Sequence, residues 1–267
     1  MSRTAVITGG ASGIGRAVAR ALVARGLHVT IADIRHAEKA AGDLGCAHAT
    51  LDVTDASAVR DLLGAVRDEH GRLDYVFNNA GIAIGGYADE LTLDHWNAAI
   101  DVNLRGVVHG VHAAYPIMVR QGFGHIVNTA SLAGLTPAPM MAPYTATKHA
   151  VVGLSLALRA EAAAKGVRVS VVCPGFVDTP LLDHANPGLP PTEVGDQARR
   201  AAVRAQGRLY PVDAMARDIL RGVARDQAFI VAPASARFAW RLARLSPVLA
   251  SRVAGLAVRR APWRAPW

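Results

Sequence analysis

An apolar run, a stretch of helical period, a glycine and a further apolar run recur from residue 3 to about residue 232. Gly26, Gly45, Gly71, Gly122 and Gly166 each follow a helical stretch and precede an apolar run, where a left-handed helix-ending residue is expected. The apolar runs predict strands at Thr4–Thr8, His28–Asp33, Ala47–Leu51, Leu73–Asn78, His125–Ala130, Val167–Cys173 and Ala228–Val231. Most are short and continuously apolar, the pattern of strands covered on both faces. Strands that alternate with helices of this length imply right-handed crossovers, and so a seven-stranded, parallel, doubly wound α/β sheet of Rossmann type. A chain of 267 residues with 51% hydrophobic and 19% charged residues has material for one large core and is not a disordered chain. No linker divides residues 1–233, which read as one domain. Residues 181–210 interrupt the alternation with Pro187, Gly188, Pro190 and Pro191, then the polar helix-like stretch Thr192–Gln206. An insertion of that length in a compact domain reads as a functional lid.

The first strand runs into Thr8-Gly9-Gly10-Ala11-Ser12-Gly13-Ile14-Gly15 and then a helix over Arg16–Arg25. Glycines there permit a tight turn and the close approach of a pyrophosphate, which the helix N-terminus stabilises. Asp33 ends the second strand, where a carboxylate accepts hydrogen bonds from ribose hydroxyls and repels a 2′-phosphate. NAD is therefore the expected cofactor. Arg35 follows two residues on, and with Arg16 it keeps NADP open as the alternative.

Tyr144 and Lys148 stand four apart on one helical face. An unperturbed phenol titrates near ~10, too high for efficient proton exchange at neutral pH. A fixed cation beside it favours the phenolate and brings that value down.

The glycine spacing TGxxxGxG resembles that of the short-chain dehydrogenase/reductase family, and the resemblance extends over roughly residues 3–232. Asp52-Val53 resembles the pair that holds the adenine, and Asn78-Asn79-Ala80-Gly81 matches the family's NNAG signature. Pro174-Gly175 and Thr179 resemble the segment that meets the nicotinamide carboxamide. With Gly9, Ser12, Gly13, Ile14, Gly15, Asp33, Tyr144 and Lys148, these residues form the expected cofactor site. The resemblance makes Tyr144 the general acid/base and Ser131, 13 residues earlier, the partner of the substrate oxygen. It gives Lys148 the nicotinamide ribose and the tuning of Tyr144, and it gives Asn103 a water in a proton relay. Where the family often has Ser-Ser, this chain has Thr129-Ala130-Ser131 and keeps one serine. Ile84, Leu132, Met140, Met141 and Phe176 are expected to line an apolar substrate pocket. The implied reaction interconverts a secondary alcohol and a ketone on a moderately apolar small molecule. The alternatives are an NADPH-dependent carbonyl or acyl reductase, and a catalytically silent cofactor sensor. The resemblance also implies a homodimer or homotetramer paired through helices spanning about Asp94–Gln121 and Tyr144–Lys165. His109 and His112, three apart, have no third ligand within a turn, so a structural role is expected and no metal.

The formal charge of +8 belongs to the end of the chain. Asp226 is the last acid, and Arg237, Arg241, Arg244, Arg252, Arg259, Arg260 and Arg264 follow it, leaving 22 bases against 21 acids up to that point. A nearly neutral body with no recognisable nucleic-acid motif excludes a nucleic-acid partner. Residues 234–267 read as a basic, amphipathic helical extension. Arg237, Arg241 and Arg244 share one face and Phe238, Leu242 and Leu245 another. Ser246-Pro247 opens a second helix to about Arg260. With Trp240, Trp263 and Trp267, the extension suits a cover for the substrate cleft, a subunit contact or a membrane surface. Met1-Ser2-Arg3 leads straight into a strand with no leader-like sequence, and Cys46 and Cys173 fit no metal or redox pattern. The expected location is the cytoplasm, with peripheral membrane contact through the extension left open.

Overall fold

A computed structural model describes residues 2–259. Seven strands form one sheet in the order β3-β2-β1-β4-β5-β6-β7, every pair parallel. They are β1 Thr4–Thr8, β2 His28–Asp33, β3 Ala47–Thr50, β4 Tyr75–Asn78, β5 Gly124–Thr129, β6 Val167–Pro174 and β7 Phe229–Ala232. Helices α1 Gly13–Val23, α2 Ala37–Leu44 and α3 Ala56–His70 make the first crossovers. Next come α4 Leu93–Ala99 and α5 Gly106–Gln121, then α6 Ala142–Ala163. The sequence predicted one helix over 94–121. The chain instead winds residues Ile100–Arg105, between α4 and α5, as a π-helix.

Alternate residues of the central strands serve different cores, which explains their unbroken apolar character. Val6, Val76, Ile126 and Val171 face α3, α5 and α6 through Leu63, Val111 and Val151. Their neighbours Ile7, Phe77, Val127 and Val172 face the other layer through Val18 and Met215. The edge strand β3 departs from the expectation of two covered faces. It is largely exposed, whereas β7 at the opposite edge is buried. The five predicted helix-ending glycines all take positive φ, between 67° and 76°.

The strand order reverses direction between β1 and β4, leaving a crevice at their carboxyl ends. Side-chain amides pin the strands there. Asn78 donates to Asn128 Oδ1 at 2.8 Å, and Asn128 donates to Ser155 on α6 at 3.0 Å. Gly110 gives this network its room, since a Cβ at that position would lie 1.9 Å from Asn78 Oδ1.

The insertion carries two short helices where the sequence predicted one over Thr192–Gln206: α7 Glu193–Asp196 and α8 Ala198–Gln206. Then α9 Val212–Ala224 leads to β7, and α10 Ala234–Leu245 and α11 Pro247–Arg259 close the described chain. The extension is joined to the body at its base, where Ala236 is buried and the Trp240 ring stands 4.9 Å from Phe229. Arg260, Trp263, Arg264 and Trp267 lie outside the described residues.

His125 makes the fold acid-sensitive. It is 3% exposed and its Nε2 lies 2.8 Å from Ser170 Oγ, which donates to the Gln227 carbonyl. The histidine must therefore be the neutral Nε2–H donor, and burial lowers its pKa to about 4. Between that value and 6.5 the unfolded chain binds a proton that the folded chain refuses. Stability thus falls as pH drops through this window, by about 3 kcal/mol in total. Urea unfolding from pH 7 to 4 should show this loss in the parent and a shallower one in His125→Gln. Parallel curves would remove His125 as the source.

Candidate functional site

The glycine turn joins β1 to α1 at the crevice, and its shape requires glycine in two places. A Cβ at Gly15 would lie 2.2 Å from the Gly9 carbonyl oxygen, and one at Gly9, where φ is +63°, would lie 2.8 Å from Ala80 Cα. Residues after β4 lock the turn from beneath. Asn79 donates to the Thr8 and Gly9 carbonyls at 3.1 and 3.2 Å. The Thr8 hydroxyl accepts from the Asn79 and Ala80 N–H groups at 3.0 and 3.1 Å. This clasp joins residues about seventy positions apart, which is why Thr8 was not singled out from the sequence.

Ser12 makes no capping bond to α1, so the first N–H groups of that helix stay available beside Gly13 and Ile14. A cleft of about 350 Å³ opens there, lined by Ala11, Ser12, Gly13, Arg16, His36 and Lys39 among others. Uncapped amide donors beside Arg16, His36 and Lys39, at a turn closed to side chains at Gly9 and Gly15, suit the pyrophosphate of a dinucleotide. Asp33 stands at the rim, its Oδ2 accepting from Ala11 N–H at 3.1 Å and its Oδ1 from Arg35 N–H at 3.3 Å. Arg16 is paired with Asp43 at 2.8 Å. The Asp52 side chain is turned onto Thr54, accepting from its N–H and hydroxyl at 2.9 and 2.8 Å. Val53 is buried, and its carbonyl meets His109 Nδ1 at 2.9 Å, giving that histidine a structural partner.

Across the crevice, β5 and α6 bring Ser131, Tyr144 and Lys148 together. The Ser131 hydroxyl lies beside the Tyr144 phenol and favours its charged form. Lys148 Nζ lies 5.5 Å from the Tyr144 ring centre and donates to the Thr129 carbonyl at 3.0 Å. Burial raises the Tyr144 pKa, and the Ser131 hydroxyl pulls it back down. Burial likewise lowers the Lys148 ammonium to about 8. The sequence reading expected Lys148 to lower the phenol's pKa; in this pocket burial is the largest influence and the net shift is upward. Cys173 is buried beside the same residues, and burial pushes its thiol up to about 12. The thiol is inert there, as expected for a structural cysteine.

Asn103 sits in the π-helical turn with no exposure. Its Oδ1 accepts from Ile82 N–H at 2.9 Å and its Nδ2 donates to the Ile82 carbonyl at 3.0 Å. A Cβ on Gly81 would come within 2.9 Å of Asn103 Oδ1 and 3.5 Å of Lys148 Nζ. Gly81 therefore lets Asn103 and Lys148 approach from two sides. The side chain of Asn103 holds the loop after β4.

The insertion is docked over this ground at both ends. Arg199 on α8 binds Asp178 at 2.6 Å, Asp183, and the Thr179 carbonyl at 3.1 Å. Gln206 exchanges bonds of 2.9 and 2.8 Å with the backbone of Phe176, and Gly175 N–H donates to Ala232. These contacts set the Pro174–Thr179 segment beside the glycine turn, with Thr179 Cγ2 at 3.2 Å from the Cβ position of Gly13. On the far side, buried Asn186 exchanges bonds of 3.0 and 2.8 Å with Gly85, and His95 Nε2 meets the Pro190 carbonyl at 3.1 Å. Arg199, Gln206, Asn186 and His95 escaped the sequence reading because their partners are distant in the chain.

Of the expected pocket residues, Leu132, Met140, Met141 and Phe176 are half-buried near the crevice. Ile84 is not available to a substrate. It is fully buried against Leu91 and Ala99, with Leu189 of the insertion packed on the same cluster.

The pattern of the short chain dehydrogenases matches residues 3–189. The chain is 34% identical over 212 residues to D-beta-hydroxybutyrate dehydrogenase of Rhizobium meliloti (strain 1021), covering 76% of this chain and 79% of that protein. It is 37% identical over 190 residues to cyclohexanol dehydrogenase of Acinetobacter sp. (strain SE19), covering 68% and 75%. Among solved structures, a short chain dehydrogenase/reductase from Burkholderia phymatum in complex with NAD superposes with a TM-score of 0.83 at 31% identity, covering 100% of this chain and 98% of that one. The chain belongs to the short-chain dehydrogenase/reductase family of NAD(P)-binding oxidoreductases.

Proposed function

We propose that the protein is an NAD-dependent dehydrogenase that interconverts a secondary alcohol and a ketone on a moderately apolar small molecule. The observation that carries this reading is the grouping of Ser131, Tyr144 and Lys148 at the carboxyl edge of the sheet, across the switch point from a glycine-rich turn with uncapped helix N–H groups. The hydroxybutyrate and cyclohexanol dehydrogenases among its relatives act in the same reaction class.

In the proposed mechanism Ser131 donates to the substrate oxygen and holds it against the Tyr144 phenol. Tyr144 then takes the alcohol proton during oxidation and returns one during reduction. The bound nicotinamide supplies the hydride acceptor or donor. Lys148 offsets the charge of the phenolate and holds a ribose hydroxyl, while Asn103 and Gly81 fix its approach. The docked insertion excludes water and holds the Phe176 backbone through Gln206, and Phe176 with Met140 and Met141 meets the apolar part of the substrate.

Asp33 and Arg16 support NAD over NADP. The Asp33 carboxylate is held at the rim by two backbone N–H groups, and Arg16 is already paired with Asp43. NADH should bind at least tenfold tighter than NADPH in a fluorescence titration. Equal or tighter binding of NADPH would defeat the assignment. Turnover on a panel of secondary alcohols then tests the reaction itself, and silence across every class would favour a cofactor sensor. A homodimer or homotetramer through α5 and α6 fits the exposure of Val108 and Leu156 on those helices. Free Cys46 and Cys173 fit the cytoplasm.

A further inference from the structure

The extension carries an apolar surface that the body does not use. On α10, Ala236, Trp240 and Ala243 face the sheet, and Phe238, Leu242 and Leu245 fall on the opposite side of the helix. They are 64%, 51% and 83% exposed. Leu249, Val253 and Leu256 fall on one side of α11, each more than half exposed, and form a second stripe on the helix that follows. This surface lies away from the core by helical geometry, so it is not core packing left incomplete. A contiguous exposed patch of large side chains marks an interaction surface.

Charge identifies the partner. Among the described residues after Asp226, every charged side chain is an arginine: Arg237, Arg241, Arg244, Arg252 and Arg259. Arg237 donates to the Val231 carbonyl and Arg244 lies over the Trp240 ring, so these two serve the fold. Arg241, Arg252 and Arg259 pair with no carboxylate among the described residues. On each helix they flank the apolar stripe, where a long side chain can lay its stem along the apolar surface and reach outward with its charge. A two-fold contact between copies through this face would set arginines against arginines with no acid in the segment to answer them. No described helix is long and apolar enough to cross a membrane. An anionic bilayer surface satisfies both halves of the face: acyl chains accept the leucines and phenylalanine, and phosphates accept the arginines.

We propose that α10 and α11 dock the protein peripherally on anionic lipid membranes, through the face formed by Phe238, Leu242, Leu245, Leu249, Val253 and Leu256 and its flanking arginines. The inference stands apart from the dehydrogenase reading, because none of these residues touches the catalytic crevice. The test is flotation of the full chain with vesicles of phosphatidylcholine alone or mixed with phosphatidylglycerol, at low and high salt, with gel filtration in parallel. The full chain should float with the mixed vesicles at low salt and release at high salt. The triple variant Arg241→Ala, Arg252→Ala, Arg259→Ala should bind roughly a hundredfold more weakly, since each basic residue near such a surface contributes about fivefold. Phe238→Asp with Leu242→Asp should also lose binding, while melting temperature and turnover of a soluble alcohol stay at the parent's values. Failure of the parent to float, or equal flotation with phosphatidylcholine alone, overturns the proposal. A parent that does not float, and whose assembly loses subunits on Phe238→Asp with Leu242→Asp, would make the face a contact between copies instead.

Discussion

Tyr144→Phe is expected to lower kcat about a thousandfold while leaving the NADH dissociation constant within about twofold of the parent's, within the range that general acid/base groups contribute. The substitution keeps the ring in a site that is 8% exposed, so packing and the neighbouring cofactor surface are preserved. It removes the one atom that, in the proposed mechanism, exchanges a proton with the substrate oxygen. Ser131→Ala should cost less, about a hundredfold, because it removes a hydrogen bond to the reacting oxygen but leaves the proton path. The pH profile separates the roles. Burial raises the Tyr144 pKa, so the parent's oxidation rate should climb with pH towards the alkaline side. The phenylalanine variant should lose that limb. A variant that retains more than a tenth of the parent's kcat would remove Tyr144 from proton transfer.

The alternation of apolar runs, helical stretches and glycines carried the whole sheet, because each crossover is a local unit whose ends are marked in the sequence. Strand ends shifted by a residue or two, as at β5, where Gly124 enters the ladder opposite Val167. The helix over 94–121 was legible by its period, but its π-helical turn was not. That turn coincides with Asn103, whose partner Ile82 is 21 positions away and belongs to another element. The grouping of Tyr144 with Lys148 was legible because four-residue spacing on a helix is a geometric statement in itself. The forces on them were not. Whether Lys148 or burial governs the phenol depends on how many side chains close over the pair, and no spacing encodes that. Ile84 shows the same limit, since its loop lies near the crevice but its side chain turns inward to Leu91 and Ala99.

Lys148→Met should abolish most activity and at the same time stabilise the cofactor-free protein at pH 7. The lysine is 3% exposed, and burial lowers its pKa from 10.5 to about 8. The folded chain therefore releases this proton earlier than the unfolded chain does. At pH 7 both forms are protonated, and the folded state carries the full cost of the buried charge, about 3 kcal/mol. As pH rises from 8 to 10.5, the unfolded chain binds more protons at this position, so the parent gains stability until the cost is gone. Methionine fills a similar volume without charge and forfeits the bond to the Thr129 carbonyl, worth about 1 kcal/mol. The net gain at pH 7 is about 2 kcal/mol, or about 5 °C in melting temperature for a chain of this length. The gap should narrow above pH 8 and reverse slightly near 10.5, where only the lost hydrogen bond remains. Cys173 does not blur the window, because its thiol is pushed up to about 12. A variant that melts at or below the parent at pH 7 would show that the ammonium is compensated in the folded protein. A variant that is both more stable and inactive would show that this buried charge is retained for chemistry at a cost to the fold.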